Sequence, residues 1–289
     1  AVNDWLLARD SGLSTVVVYV DLSKAFDRVR HQPLLLDLHA AGIGGTALAW
    51  FASYLSGRYQ RVVSLSDTSQ NLPVTRGVPQ GSVLGPLLFN LFVAHLPRLA
   101  AQHASTLFLF ADDKTLYSSD NCLVSAAAAA SRALDVIAAN LALKGLSVNE
   151  TKTVSMCIQP PRGEQDVVPV FLNGHPLQVA TTVRCLGLML DDNLSWRSHV
   201  DFLIGKVGRK VGILRRVWRH MSPHARRLYL LGVIQPDFEY CSVAYLTSLP
   251  ATGRNRLLAI FRRALRAVAG ADRNADCMQL MRDLHIQPL

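Results

Sequence analysis

The chain has 289 residues, of which 50% are hydrophobic and 18% are charged. This composition excludes an intrinsically disordered chain, because it offers ample apolar surface for a packed core. The formal net charge of +9 at pH 7 makes a polyanion the expected partner, since Lys and Arg gain affinity by displacing counterions from phosphates. The five cysteines show no CxxC pair and no Cys/His finger spacing, which argues against a zinc finger.

The first part of the chain predicts one buried strand among helices. Residues 15–20 form a continuous run of β-branched and apolar residues, typical of a strand that is buried on both faces, and Asp21 follows it directly. Gly42 and Gly57 are typical stops of the two helices that come after this strand. In chain order we predict a helix at 2–9, the strand at 15–20, helices at 33–41 and 46–55, and a short strand at 59–65.

The middle of the chain predicts a hairpin with acidic residues at its tip. Two short apolar runs are joined by Ala111, Asp112 and Asp113, which is the pattern of two strands and a tight link. A Gly- and Pro-rich loop precedes this hairpin, and Ser125 is the predicted cap of an Ala-rich helix after it. The remaining predictions are a loop at 76–86, a buried helix at 87–96, strands at 106–110, 114–117, 154–158, 168–172 and 183–190, and a flexible loop at 160–166.

Carboxylates at the ends of two predicted strands are the main candidates for chemistry. An aspartate at the end of an apolar strand costs free energy unless its charge is compensated, and this applies to Asp21 as well as to Asp112 and Asp113. Three carboxylates that converge would repel one another, and a pair of Mg²⁺ ions would relieve the repulsion. Two such ions hold the attacking and leaving oxygens of a phosphoryl displacement. Any one of these aspartates, taken alone, could instead be a turn former.

Four motifs in a fixed order carry a family resemblance. Residues 19–27, YVDLSKAFD, resemble the first palm motif of reverse transcriptases from non-LTR (LINE-type) retrotransposons. Residues 76–90, RGVPQGSVLGPLLFN, residues 110–113, FADD, and residues 145–153, GLSVNETKT, resemble the second, third and fourth motifs. Residues 185–199 are similar to the primer-grip region and the start of the thumb. The resemblance implies an α+β fold, with a right-hand polymerase palm of antiparallel strands and helices on one face, followed by a helical basic thumb.

The resemblance also implies roles for individual residues in RNA-directed DNA synthesis. It makes Asp21, Asp112 and Asp113 the catalytic and metal-binding residues, with two Mg²⁺ ions as cofactors and Mn²⁺ as an alternative. It places Phe26, Leu22, Gln80 and Gly81 at the nucleotide: the ring of Phe26 beneath the incoming sugar, the Leu22 carbonyl as a backbone ligand, and the Gln80–Gly81 loop against nucleotide and template. It makes Lys152 the acid that protonates pyrophosphate. A core aromatic at Phe26 and a plain surface lysine at Lys152 remain open alternatives.

The positive charge is concentrated in one C-terminal segment. Residues 195–270 contain 14 Lys and Arg against three acidic residues, whereas residues 1–194 are nearly neutral. The spacing of the basic residues in this segment predicts a helix with an apolar stripe and a basic face. Such a face suits contacts along the phosphates of a template–primer duplex. A solvated helical surface is the alternative. We therefore predict a palm with the primer grip at 1–194 and a thumb at 195–289. The predicted nucleic-acid contacts are Lys206, Arg209, Lys210, Arg215 and Arg216.

Relatives carry parts that this sequence does not show. About 20 residues precede Asp21, too few for a fingers region, so we expect a fragment whose parent supplies fingers and an endonuclease domain. The expected partners are an RNA template, a DNA primer and dNTPs, with no membrane partner, and the family is found in nucleus and cytoplasm. A palm without fingers lacks part of its nucleotide grip, so activity of the chain by itself is doubtful. The alternative function is a non-catalytic nucleic-acid-binding remnant of a retroelement.

Overall fold

A computed structural model describes residues 1–160 and 167–286 of the chain. The chain forms two compact units, one that runs from Asn3 to Ala180 and one that begins at Thr181. The functional division into palm at 1–194 and thumb at 195–289 stays a prediction. The predicted flexible loop at 160–166 lies, apart from Pro160, outside the described residues.

The first unit consists of helices around a five-stranded sheet. Its helices are α1 (Val2–Asp10), α2 (Ala25–Arg28), α3 (His31–Ala40), α4 (Gly45–Leu55), α5 (Leu84–Val93), α6 (Leu96–Ala101) and α7 (Leu123–Leu143). Its strands are β1 (Ser14–Val20), β2 (Tyr59–Gln60), β3 (Leu72–Pro73), β4 (Thr106–Phe110), β5 (Asp113–Asp120), β6 (Val154–Ile158), β7 (Phe171–Leu172), β8 (His175–Pro176) and β9 (Gln178–Val179).

The central sheet has the order β4-β5-β1-β6-β9, with the β-branched strand β1 in the middle. Strands β4, β5, β1 and β6 pair in antiparallel fashion, and β9 adds one parallel pair at the edge of β6. β1 is buried along nearly its whole length, because its valines suit a pleated surface that is covered on both sides. The predicted α+β class is confirmed.

The two faces of the sheet are covered differently. On one face Val16, Val18 and Val20 pack into a core with α5 and α7, and the small alanines of α7 let its backbone lie close to the strands. The opposite face carries Tyr117, whose hydroxyl donates a 2.7 Å hydrogen bond to Asp4 and whose ring meets Trp5 of α1 edge-on. Most helices therefore lie on one face, as predicted, and α1 adds a contact on the other.

The second unit combines a small hairpin with helices. Its elements are β10 (Thr182–Cys185), β11 (Leu188–Asp191), α8 (Arg197–Val217), α9 (Pro223–Tyr229), α10 (Gln235–Glu239), α11 (Ser242–Tyr245), α12 (Ala251–Ala269) and α13 (Cys277–Asp283). A 3₁₀ turn, Trp218–His220, follows α8, and a π-helical turn, Leu230–Ile234, joins α9 to α10. α8 buries Val200, Leu203 and Val207 along one stripe, which agrees with the predicted amphipathic helix.

Several local expectations were wrong. The strand expected at 168–172 forms only at Phe171–Leu172, and the helix expected at 87–96 begins at Leu84 and ends at Val93. The strand expected at 59–65 is exposed and shrinks to β2, which pairs with the two-residue β3, while Val63 forms only an isolated bridge with Thr68. The strand expected at 183–190 is a hairpin that turns at Leu186 and Gly187, both with positive φ. Ser125 does not cap α7, because the helix already begins at Leu123. The extents of the strands expected at 59–65 and 183–190 depend on which residues pair with them, and α7 begins two residues before the expected cap.

Two helical stretches, Leu84–Ala101 and Leu123–Leu143, are long and apolar enough to cross a membrane by length and composition alone. This is weak evidence, because core helices of water-soluble proteins pass the same test. In this chain Leu88, Phe89 and Phe92 of the first stretch are fully buried in the core of the first unit.

Candidate active site at the end of the central sheet

Asp21 is held at the end of β1 by its own backbone. Its N–H donates to the Thr153 hydroxyl at 3.2 Å, and its carbonyl accepts from the Asn149 N–H at 2.8 Å. The next residue, Leu22, forms an isolated antiparallel bridge with Val148. The fourth motif (residues 145–153) thus lies directly beside the first (residues 19–27). Its contacts hold the main chain at Asp21 in place.

The hairpin of β4 and β5 brings the other two aspartates to the same end of the sheet. Phe110 pairs with Asp113, so only Ala111, in the left-handed region at φ +52°, and Asp112 form the link. β5 also pairs with β1, with Val20 opposite Lys114. Because side chains alternate along a strand, Asp21 and Asp113 both point to the face opposite Val20.

The electrostatics of Asp113 agree with the strand register, which brings the carboxylates to one end of the sheet. Burial raises the pKa of Asp113 above its usual value, and the negative charges of Asp112 and Asp21 raise it further, while the Lys114 ammonium acts in the opposite direction. The charges of Asp21 and Asp112 therefore act on the carboxyl group of Asp113. This is the arrangement that the strand-end pattern predicted.

Lys114 is a site residue that sequence reasoning missed. Its side chain is almost fully buried, at 2% exposure, and its ammonium donates to the Asp112 carbonyl at 3.3 Å. It also lies 5.2 Å from the centre of the Phe89 ring. Burial lowers its pKa to about 8, although the charges of Asp112 and Asp113 act to raise it. The available signal was a lysine at a core-facing position of a strand, directly after two acids.

The acids suit a cation that shares its coordination with a substrate. Within residues 1–160 and 167–286, no group of three or more His, Cys, Asp or Glu side chains is placed to hold a metal by itself. Mg²⁺ is usually bound through one or two carboxylates together with substrate phosphates, and it does not need a cage made by protein alone. The neighbouring carboxylates of Asp21, Asp112 and Asp113 carry the negative charge that such an ion would neutralise.

The Gln80 loop is tied to the segment after Asp21. The Gln80 amide donates to the Asp27 carboxylate at 2.8 Å, which gives Asp27 a partner that the sequence did not suggest. Gly77, at φ +93°, lies so close that an added Cβ would stand 2.9 Å from the Asp27 carbonyl oxygen. The His31 ring contacts the Gly77 carbonyl at 2.9 Å. Gly81 is also in the left-handed region, at φ +78°, with open space beside it.

Phe26 and Lys152 are placed differently with respect to the core. The Phe26 ring is partly buried and stacks on Phe89 with a centroid distance of 4.6 Å, so it packs against the core while keeping a partly open face. Through Phe89 it is linked to the Lys114 ammonium. Lys152 is exposed and lies in the turn that leads back to β6.

The five predicted nucleic-acid contacts of α8 divide into two groups. Lys206 and Lys210 both bond to the Asp237 carboxylate, at 2.9 and 2.5 Å, and Lys210 also donates to the Val233 carbonyl. Since Asp237 is only 8% exposed, these lysines compensate a buried charge inside the unit. The arginines of the set, in contrast, are exposed and have no acidic partner among the described residues: Arg209, Arg215 and Arg216.

Comparisons with known proteins complete this description. The family model described as reverse transcriptase (RNA-dependent DNA polymerase) matches residues 4–203. The probable RNA-directed DNA polymerase from transposon BS of Drosophila melanogaster is 29% identical over 93% of this chain and 30% of its own length. The corresponding protein of the X-element of the same organism is 26% identical over 99% of this chain and 32% of its own length. The chain thus spans less than a third of these relatives.

A solved structure also resembles the chain. Telomerase from Candida albicans, in a complex with a fragment of telomeric RNA, aligns with a TM-score of 0.49 at 12% identity, over 100% of this chain and 54% of that chain.

Proposed function

Because the chain belongs to the reverse transcriptase (RNA-dependent DNA polymerase) family, with relatives among LINE-type retrotransposon polymerases, we propose that it serves as the RNA-directed DNA polymerase of such an element. The family resemblance drawn from the motifs is confirmed. The observation that carries the proposal is the meeting of Asp21, Asp112 and Asp113 at one end of the sheet, where Asp113 responds to the charge of both others. The reaction is transfer of a nucleotide onto the 3′-hydroxyl of a DNA primer, directed by an RNA template.

The three carboxylates are the proposed ligands of two Mg²⁺ ions, with Mn²⁺ as an alternative and the Leu22 carbonyl as a backbone ligand. The chemistry that the bound ions supply is stabilisation of charge on the attacking and departing oxygens. Asp21 and the hairpin contribute position, since hydrogen bonds to Thr153 and Asn149 hold the Asp21 backbone and strand pairing holds the hairpin before any substrate binds.

The neighbouring residues are proposed to position the incoming nucleotide. The open face of Phe26 would lie beneath the sugar and exclude a 2′-hydroxyl, and the stack on Phe89 supports it from behind. Gln80 and Gly81 would lie against nucleotide and template, on a loop whose conformation Asp27 and His31 hold. Lys152 would provide a proton to the departing pyrophosphate.

The basic surface of α8 is proposed to contact the template–primer backbone. The exposed Arg209, Arg215 and Arg216 carry this role, because phosphate contacts need free cations and give position without reading sequence. Lys206 and Lys210 contribute less, since Asp237 already neutralises part of their charge.

Primer extension on an RNA template with Mg²⁺ tests the proposal. The chain and a longer protein that carries a fingers region ahead of Ala1 are each compared with their Asp112→Asn version, which keeps the shape of the side chain and removes its charge. We expect extension by the longer protein that depends on Asp112. Extension no greater than that of Asp112→Asn, together with retained binding of RNA, would instead support a non-catalytic nucleic-acid-binding remnant.

A further inference from the structure

A buried cation connects the aspartate hairpin to the ring of Phe26. The Lys114 ammonium donates to the Asp112 carbonyl at 3.3 Å and lies 5.2 Å from the centre of the Phe89 ring. Phe89 in turn stacks on Phe26, with ring centroids 4.6 Å apart and an angle of 29° between the ring planes. Residues far apart in the chain are thus linked in one row of contacts. We call Lys114, Phe89 and Phe26 the cation–ring row.

The environment of Lys114 is one that normally holds an apolar residue. Its side chain is 2% exposed, and its partners on the two neighbouring strands are Val20 and Leu109. A lysine in such a place loses the hydration of its charge, whereas a leucine or methionine would fill the space without that cost. Only a cation, however, supplies both attraction to the face of a ring and a donor for a main-chain carbonyl.

Lys144 of the same unit is a lysine whose contacts serve the fold. Its ammonium also lies over a core ring, 4.8 Å from the centre of the Phe92 ring, but it pairs with the Asp37 carboxylate at 2.7 Å. Its charge is therefore neutralised within the chain. Lys114 forms no ion pair in the part of the chain that the structure describes. Its contacts join the main chain of the hairpin to a ring, which indicates a role in holding two parts of the site together.

The two parts that the row joins are held by the fold to different degrees. Strand pairing holds the hairpin that carries Asp112 and Asp113. Phe26 lies on α2, a helix of only four residues. Because so short a helix has little stability of its own, its position depends on tertiary contacts. The stack of Phe26 on Phe89 is one of these contacts, and Lys114 ties Phe89 to the hairpin.

We propose that Lys114 is a positioning residue for sugar selection: by holding the Phe89 ring against Phe26, it sets how strictly ribonucleotides are excluded. This inference rests on the proposed polymerase function and on the role of Phe26 in it. Lys114 acts through the two rings, so it needs no contact with the nucleotide. Removing its charge loosens the Phe26 ring, and a looser ring admits a 2′-hydroxyl more readily.

Primer extension with single nucleotides tests the role in selection. The values of kcat/KM for one dNTP and for the corresponding rNTP are measured at saturating Mg²⁺ in the longer protein that carries a fingers region. Their ratio does not depend on the fraction of folded enzyme. Lys114→Met should lower this ratio about tenfold, since one cation–ring contact and one hydrogen bond are lost. Lys144→Met, the matched control, also removes a cation over a ring and should leave the ratio unchanged.

A double-mutant cycle tests whether Lys114 acts through the Phe89 ring. Phe89→Leu removes the ring and keeps an apolar side chain in the core. If the ring transmits the effect, Lys114→Met should cause no further fall in the ratio in the Phe89→Leu protein. A fall of the same size with and without the Phe89 ring would overturn the inference.

NMR spectra of the chain without substrate separate this inference from the proposed function. Lys114→Met should shift the ring resonances of Phe26, and Lys144→Met should leave them in place. Unchanged Phe26 resonances in Lys114→Met, or an unchanged nucleotide ratio in an active enzyme, would overturn the role of Lys114. If the unaltered longer protein extends no primer, the proposed function fails and the role in sugar selection fails with it. Shifted Phe26 resonances would in that case still show that Lys114 positions the ring.

Discussion

Two acidic sites, one in each unit of the chain, are compensated in opposite ways. In the second unit the buried Asp237 receives two ammonium groups, from Lys206 and Lys210. In the first unit Asp112 and Asp113 lie together with Asp21, and the nearby Lys114 bonds to a backbone carbonyl and to no carboxylate. The Asp237 charge is neutralised within the chain and serves the fold, whereas the charges of the three acids at the end of the sheet remain available to a cation from solution.

The largest effect expected from this difference is on catalysis. Asp112→Asn should lower primer extension about a thousandfold, equivalent to about 4 kcal/mol, because a carboxylate that stabilises transition-state charge is lost. Thermal stability should stay the same or rise slightly, since repulsion with Asp113 is relieved. A variant that loses stability and activity in parallel would contradict the contrast between the units.

Asp237→Asn should show the reverse behaviour. It leaves two lysines facing a neutral amide in a partly buried place, and breaking such a pair costs about 3 kcal/mol of unfolding free energy. Urea denaturation measures this loss. The rate of nucleotide addition per folded molecule should be unchanged, and a drop in that rate at full folding would place Asp237 in the catalytic machinery.

Acidic pH should weaken the second unit through His199. This residue is 2% exposed, and burial lowers its pKa to about 4, with the Lys206 charge acting in the same direction. Its folded pKa is below the unfolded value of 6.5, so protons bind the unfolded state preferentially and stability falls as pH drops through 6.5 toward 4. From pH 7 to pH 5 the loss should be about 2 kcal/mol.

Replacing His199 by Phe provides the control for this pH dependence. The ring contacts with Trp196 and Tyr245 can be kept, while the titrating group is gone. The urea midpoint of His199→Phe should therefore vary less between pH 7 and pH 5 than that of the unaltered chain. An identical pH slope in both proteins would show that another group is responsible.

Lys114→Met should tighten metal binding. The lysine places a positive charge beside the acids, and removing it should raise the affinity for Mg²⁺ or Mn²⁺ about tenfold. Calorimetric titration with Mn²⁺ measures this without any turnover. Lys144→Met is the matched control, since Lys144 also lies over a core ring, that of Phe92, but pairs with Asp37. Similar Mn²⁺ affinities in the two variants would show that Lys114 does not affect metal binding.

The smallest expected effect concerns Asp27, an exposed acid with a neutral partner. Asp27→Ala frees the Gln80 amide and should raise the KM for dNTP about fivefold, the value of about 1 kcal/mol for one hydrogen bond. Asp27→Asn retains an acceptor oxygen and should restore most of the loss. If Asn fails to restore it, the charge of Asp27, and not its hydrogen bond, is what matters.

Much of this molecule follows from local sequence. The β-branched run of β1, the hairpin around Asp112 and the apolar stripe of α8 all form where the pattern predicts them. Each is governed by the alternation or periodicity of neighbouring residues, which is visible in one dimension. The likeness of the motifs to a family gave roles to the aspartates, and the sheet brings all three to one end.

Other features depend on partners far apart in the chain. The bond between Asp27 and Gln80, the burial of Lys114 over Phe89 and the pairing of Lys206 with Asp237 join residues that no spacing rule connects. Sequence by itself determined which strands end in acid and which helix is basic, because charge and hydrophobicity are local properties. Only the tertiary structure decided which charges are neutralised within the chain, since that depends on the distance between side chains and on their exclusion from water.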